Sequence, residues 1–547
     1  MLFSFYDGTS YWDYSKIVEW CYDFVSVHSD NCRIEVLAHT KQGLPIIMIV
    51  IGKEQNPTLW IDGGTHASEW AGVMATLYAL SKWAKQMETL TGMSRFSKVS
   101  VAVVPCVSPD GYQALFEGKP FLRSNLRESL SGNFRMGLEP QDINRDGRVE
   151  FMRWKDPAGP FVLDKESPLG LRPRKIHDST SKAYFLSREG LFLNWDGFSW
   201  MQAPRKFGMD LNRNFPVDWS PFEMFGMDSG AYALSEVESR SITDAVYNLP
   251  SVIGAISLHT YTGALLTQPY HADPNLPESD ISLLKKLGRE LIEGTDYQLL
   301  SVHPDFTYHP KQKIIGVWAD FLSTTLGIPA YTLELWNPFA WAEVDIDHPA
   351  RFFMDPDPEV VCALLKKSVN EQFSLWMPYK HPQLGSVEIG GFDYLRTIRN
   401  PPEGLLQKEC EQAFRLVDNF LSTLPFVQIH VDKRKVSEDL FVVEALVQNL
   451  GYLSTAGLSQ AYKRKLAKGI ELSVELSDNQ KIVQGDPIVS LGILQGWGQQ
   501  PTNAIYPSLG TMSHRKGSRW LIKGSGKITI KWDAGKGGKG KSVIRLV

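Results

Sequence analysis

The stretch Leu59-Trp60-Ile61-Asp62-Gly63-Gly64-Thr65-His66-Ala67-Ser68-Glu69-Trp70 changes texture halfway along. An apolar, β-rich run stops at a pair of glycines, and an apolar helical pattern over Glu69–Met87 follows, so the reading is strand, turn and helix start. Two metal-capable side chains, His66 and Glu69, stand three apart where the strand ends. Across a turn, that spacing lets an imidazole nitrogen and a carboxylate oxygen meet at one ion about 2 Å from each. Alone the pattern is weak, because an ordinary surface pair has the same spacing.

Outward from this stretch the same alternation repeats. Short apolar runs at Pro45–Ile51, Thr58–Ile61, Val99–Val104, Val252–Leu258 and Ala330–Leu335 are separated by helix-length segments such as Ile281–Ile292. The expected fold class is α/β, a mixed, mostly parallel twisted sheet with helices on both faces. Ligands in such folds bind beyond the carboxyl ends of strands. The run ending at Leu258 leads into His259, which read alone could be a satisfied core histidine. The run Pro329–Trp336 carries Glu334 within an apolar stretch, where a carboxylate is expensive unless something pairs with it or uses it. Two histidines and a glutamate around an open position form the ligand set of a catalytic zinc, and a second glutamate supplies a general base.

Composition bounds the rest. With 547 residues, 43% hydrophobic and 22% charged, the chain has the make-up of a soluble globular protein. That length holds several domains with ample core, so a metal is not needed for folding and is expected to serve chemistry. A net charge of −4 gives no case for nucleic acid or an anionic membrane as partner. The average hides an asymmetry: from Phe426 onward there are 18 Lys+Arg and 9 Asp+Glu, against 39 and 52 before it. Five scattered cysteines fit neither a disulfide framework nor a CxxC site, and the first residues lack a basic signal-peptide start. A cytoplasmic location is expected, with a secreted or periplasmic one if the start is processed. No apolar run approaches the roughly 20 residues that span a bilayer. Oligomeric state is not legible.

Short runs at Val427–Val431, Leu440–Val447, Ile470–Leu476, Ile488–Ile493, Trp520–Lys523 and Lys527–Trp532 follow a helical segment at Pro402–Leu421 and predict a β-sandwich. The expected division is a domain over residues 1–425, interrupted by an aperiodic insertion at about 128–205, and a basic β-sandwich domain over 426–547.

The ordered landmarks make the resemblance specific. They are His66/Glu69, Pro109-Asp110-Gly111, Arg123, Asp210-Leu211-Asn212-Arg213-Asn214, His259-Thr260-Tyr261 and Glu334, in that order over about 270 residues. The chain resembles the zinc carboxypeptidase family, the carboxypeptidase A-like metallopeptidases, in a bacterial-type form with an appended β-domain. The resemblance implies one zinc ion held by His66, Glu69 and His259, with Glu334 as general base. It implies Arg123 as the group facing developing oxyanion charge, with Arg127 as runner-up, and Asn212 and Arg213 as the clamp on a substrate's terminal carboxylate. Asp210 would orient the first zinc histidine, unless it is only a turn or cap residue.

The implied partner is a peptide with a free C-terminal carboxylate. The alternatives are a zinc amidohydrolase acting on a specialised amide such as a peptidoglycan stem peptide and, in another class, an inactive binding module. The likeness extends through Gly385–Gly391.

A second Asn-Arg pair, in Asp142-Ile143-Asn144-Arg145-Asp146-Gly147, lacks the Asn-Phe-Pro continuation of Asn214-Phe215-Pro216. Its spacing resembles half of a calcium loop, so Ca2+ at Asp142–Asp146 is weighed against a plain turn. Ser68 stands where digestive relatives carry arginine. Tyr308 lies near the place of the family's mobile tyrosine but is not assigned to it. Ala319 would favour apolar and Asp320 basic terminal residues, with alignment by one residue deciding between them.

Overall fold

The computed structural model describes residues 3–547 except 130–133, 166, 168, 225, 309–312, 353–355, 370–372, 503–504 and 506–512. Its centre is an eight-stranded sheet of β1 (Cys32–His39), β2 (Pro45–Ile51), β3 (Thr58–Gly63), β4 (Ser100–Val104), β5 (Val252–Thr260), β6 (Ala264–Thr267), β7 (Gln298–Ser301) and β8 (Ala330–Leu335). Their order across the sheet is β1-β2-β4-β3-β5-β8-β6-β7. The β4-β3-β5-β8 block and the β6-β7 pair are parallel; β1-β2, β2-β4 and β8-β6 are antiparallel.

This is the α/β fold expected from the alternation, a mixed, mostly parallel sheet. The central strands are buried on both faces, and their side chains divide by the two-residue period of a strand. Ile47, Ile49 and Ile51 of β2 join the core beneath α1 (Tyr14–Val27) and α2 (Trp70–Met87). Ile46, Met48 and Val50 join the opposite core, with Ile242 and Val246 of α3 (Val237–Asn248).

Helix α2 is buried along nearly its whole length, which its apolar sequence requires. On its outer side lies the helix Glu403–Ser422, tied on by Trp83 Nε1 donating to Asp418 at 2.7 Å and Tyr78 Oη donating to Glu411 at 3.1 Å.

The insertion has more regular structure than its sequence suggests. Phe151–Lys155, Phe161–Leu163, Leu171–Pro173 and Ala183–Arg188 join Phe373–His381 and Gly385–Phe392 in a six-stranded sheet. Phe151–Lys155 is flanked by Gly385–Phe392 on one side and Ala183–Arg188 on the other, all antiparallel. The Gly385–Gly391 segment therefore completes the insertion's sheet rather than extending the central one.

Beyond Phe426 two four-stranded antiparallel sheets close on a core that includes Phe441, Val443, Leu472, Trp520, Ile528 and Ile530. This module meets the α/β part through Asp280, at the start of the helix Glu278–Ile292. Its carboxylate accepts from the Ser459 and Gln460 backbone N–H groups, both at 3.0 Å, and from Ser459 Oγ at 2.9 Å. Among the described residues no ion pair crosses between the two parts. No described helix is long and apolar enough to cross a membrane.

Candidate metal centre and active site

Strand β3 ends at Gly63, and the turn that follows delivers His66 and Glu69 to the start of α2. Strand β5 runs beside β3 in parallel and presents His259 at its own carboxyl end. The two strand ends adjoin because the strands pair directly, and α2 packs closely on β5 at Gly72. A Cβ on Gly72 would stand 2.5 Å from the Leu258 carbonyl oxygen, so any larger residue would push His66 and Glu69 away from His259. Gly111 of the Pro-Asp-Gly landmark has a similar role, since its Cβ would overlap the Ser124 carbonyl beside Arg123.

The result is a buried cluster. His66 Nδ1 lies 2.9 Å from Glu69 Oε1, His259 Nδ1 lies 2.9 Å from His66 Nδ1, and His259 Nδ1 lies 2.8 Å from Glu69 Oε2. Among the described residues this is the one group of three or more possible donors that could hold a metal ion. Two imidazole nitrogens and a carboxylate, all buried and converging at one point, fit a zinc ion by both donor chemistry and spacing.

Each histidine is gripped from behind. His66 Nε2 is 3.1 Å from Asp210 Oδ1. His259 Nε2 is 3.0 Å from Ser257 Oγ, which in turn donates to Asp62 Oδ2 at 2.5 Å. Asp62 also accepts from the indoles of Trp60 at 2.8 Å and Trp318 at 2.9 Å. Such outer contacts fix ring orientation and tautomer. The Asp62–Ser257 support has no counterpart in the sequence reading.

The electrostatics follow from burial and neighbours. Burial alone would raise the Glu69 carboxyl, but His66, Arg399 and His259 hold it well below the usual range. Arg399, which the sequence reading also missed, donates from Nη2 to Glu69 Oε1. Asp210 is likewise held low against burial, chiefly by Arg123, then His66 and Arg213. Glu334 lies directly across the β5–β8 register from His259. Burial, then the charge of Glu69, pushes its carboxyl up to about 7.

Glu334, Arg123 and Arg213 line a cavity of about 950 Å³ that also includes Glu69 and Asp210. Arg123 is held by Glu69 at 3.1 Å and Asp210 at 3.3 Å. Arg127 is instead ion-paired to Asp228 and Glu236 and is not among the described lining residues. Arg213 donates from Nη1 to the Asn212 carbonyl at 2.7 Å, and its buried Nε has no partner among the described residues. Asn212 Oδ1 accepts from the Trp318 N–H at 2.9 Å.

Tyr308 lines the cavity beside Tyr261 and Tyr394. Ala319 and Asp320 are not among its described lining residues. Asp320 is buried, accepts from Gln268 Nε2 at 2.7 Å, and is pushed by burial up to about 7.

The calcium expectation gains no support. Asp142 spends both carboxylate oxygens on its own loop, accepting from the N–H groups of Arg145 at 2.6 Å, Asp146 at 3.2 Å and Gly147 at 2.8 Å. That is a turn closed by an aspartate.

Comparison with known proteins adds the family. A profile described as zinc carboxypeptidase matches residues 17–167 and 187–351, more than half of the chain. The match stops at 351, short of Gly385–Gly391. A second profile, described as a domain of unknown function, matches residues 426–545.

Carboxypeptidase B of Astacus astacus is 28% identical over 253 residues, 44% of this chain and 79% of that protein. An inactive metallocarboxypeptidase of Paracoccidioides lutzii is 27% identical over 126 residues, 22% of this chain and 21% of that one. The crystal structure of thrombin activatable fibrinolysis inhibitor is similar with a TM-score of 0.45 at 15% identity, covering 77% of this chain and 78% of that one.

Proposed function

The chain belongs to the zinc carboxypeptidase family, and from that premise we propose that it is an active metallocarboxypeptidase that removes the C-terminal residue of peptides with a free terminal carboxylate. The observation that carries this reading is the convergence of His66, Glu69 and His259 at one point, beside a cavity into which Glu334 and two arginines project. Held by those three side chains, zinc would polarise the scissile carbonyl and acidify a water molecule.

The chain's own residues do the rest. Glu334, half-buried and raised to about 7, can take a proton from the attacking water and return it to the leaving amine, because neither protonation state lies far away near neutral pH. Arg123, fixed between Glu69 and Asp210, offers a preorganised cation to the oxygen on which negative charge develops. Arg213 offers a buried guanidinium with an unused Nε–H, suited to a planar carboxylate. Asn212, whose side chain holds the Trp318 backbone, helps set the position of that guanidinium through its carbonyl.

The test is mass spectrometry of a mixed peptide library after incubation with zinc-loaded protein, beside Glu334→Gln protein and C-terminally amidated peptides. Loss of single terminal residues from free-acid peptides alone, absent in Glu334→Gln, supports the reading. Zinc bound in a one-to-one ratio without such cleavage shifts the reading to hydrolysis of a specialised amide. Failure to bind zinc sinks it in favour of an inactive module.

A further inference from the structure

The wall of the cavity built by the insertion carries charge that the proposed hydrolysis does not use. Ten Lys/Arg and seven Asp/Glu side chains line the cavity among the described residues, in the half of the chain where acids outnumber bases. Most of these acids are already committed. Glu139 pairs with Arg135, Asp393 with Arg396, and Glu69 and Asp210 with Arg123, while Glu150 accepts from Ser374 Oγ.

Two half-buried arginines are left over; Lys119 and Arg148, also unpaired among the described residues, are exposed. Arg188, at the end of the strand Ala183–Arg188, has its Cζ 4.2 Å from the centre of the Phe151 ring and 5.6 Å from that of Tyr394. Arg205 has its Cζ 5.2 Å from the centre of the Phe121 ring. Both are half-buried, and among the described residues neither makes an ion pair or a side-chain hydrogen bond.

A guanidinium withdrawn from water, resting on aromatic rings and making no hydrogen bond, has lost hydration without gaining an acceptor; Asp393, which pairs with Arg396, acts on Arg188 through its charge alone. Burial lowers the proton affinity of both groups, and the charge of Arg123 lowers that of Arg205 further. The rings fix both forks in place, so an incoming carboxylate would find them already oriented. Arg213 is already assigned to the terminal carboxylate, so the vacancy suits a second one.

We propose that Arg188 and Arg205 form a subsite for an acidic side chain of the substrate, so that the enzyme prefers peptides carrying Asp or Glu at or next to the scissile bond. This rests on the carboxypeptidase reading and names its substrate class.

The test uses the zinc-loaded full chain and peptide pairs that differ only by Glu against Gln at the terminal, penultimate or preceding position. At one position or more, kcat/KM should favour Glu about tenfold or better, and the preference should shrink as salt is added. In Arg188→Gln and Arg205→Gln the ratio should fall towards one, and in Arg205→Lys it should be intermediate. The ratio cancels any uniform loss from a structural disturbance. Should the glutamine variants not fold, the lysine variant and the wild-type ratio still decide. Equal rates for Glu and Gln peptides at every position overturn the subsite and leave the carboxypeptidase reading intact, as does a preference that survives in both glutamine variants. Failure to cleave any peptide removes both.

Discussion

The cavity has two walls of different construction. One is formed by strand ends of the central sheet, where each polar group of the metal cluster is backed by a partner: His66 by Asp210, His259 by Ser257 and Asp62, and Glu69 by Arg123 and Arg399. The other is formed by the insertion and the strands that complete it, where Arg188 and Arg205 rest on rings and, among the described residues, pair with no carboxylate. Apart from Arg399, the first wall lies within the family match; Arg188 and Arg205 also fall inside it, but Phe373–His381 and Gly385–Phe392, which complete the sheet that Arg188 belongs to, lie beyond it. On the proposed reading, the reacting groups sit on the central sheet with their partners behind them, and selectivity would sit on the insertion's surface.

This contrast can be broken at four points. The largest expected effect is on the sheet wall: Glu334→Gln should lower turnover by about 10²–10⁴-fold for every peptide while zinc content, read by metal analysis, stays at one per chain. Loss of zinc would show that Glu334 helps hold the metal and that the assigned division of roles is wrong. Next, Arg213→Ala should lower kcat/KM by about 10–100-fold, mainly through KM, since it removes a charge-assisted bond present in ground and transition states alike. A drop confined to kcat would count against a carboxylate clamp.

Third, Ser257→Ala should weaken zinc affinity about tenfold in a competition titration with a chelator, because His259 loses the contact that fixes its ring. Unchanged affinity would mean that the Asp62–Ser257 support is ornamental to the metal.

The smallest effect concerns the insertion wall. Glu189, next to Arg188, is buried with one carboxylate oxygen unpartnered, and burial pushes its pKa up to about 8. An unfolded glutamate titrates near ~4.3, so between these values the folded chain holds a proton that the unfolded chain has lost. Its stabilising contribution is complete below about pH 4 and is lost as pH rises through about 8. The melting temperature should fall from pH 5 to pH 8.5, and Glu189→Gln should flatten that fall by a few degrees. Identical slopes in the two proteins would remove Glu189 as the cause.

Much of the sheet wall is legible in the sequence, for a physical reason. Parallel strands buried on both faces are written as uninterrupted apolar runs, so a histidine or glutamate at their ends stands out. Asp62 and Ser257 were not legible, because each sits inside such a run and their meeting depends on the lateral register of β3 and β5. Arg399 carries no motif and reaches Glu69 from 330 residues away along the chain. The insertion's sheet was hidden because its strands are short and irregularly buried, and one of them, Phe151–Lys155, pairs on one side with a strand more than 200 residues distant. The Asp142 loop stands open between a cation loop and a plain turn in the sequence, since the residues that mark the one also close the other.

The interleaving of Phe151–Lys155 between Ala183–Arg188 and Gly385–Phe392 sets an order of assembly during synthesis. All three proposed zinc ligands and Glu334 have been made once the ribosome passes residue 334, whereas one side of Phe151–Lys155 remains an open edge until Phe392 emerges. A nascent chain between those two points holds every reacting group but only part of the wall that would discriminate among substrates, and its unpaired strand is exposed to whatever else is nearby.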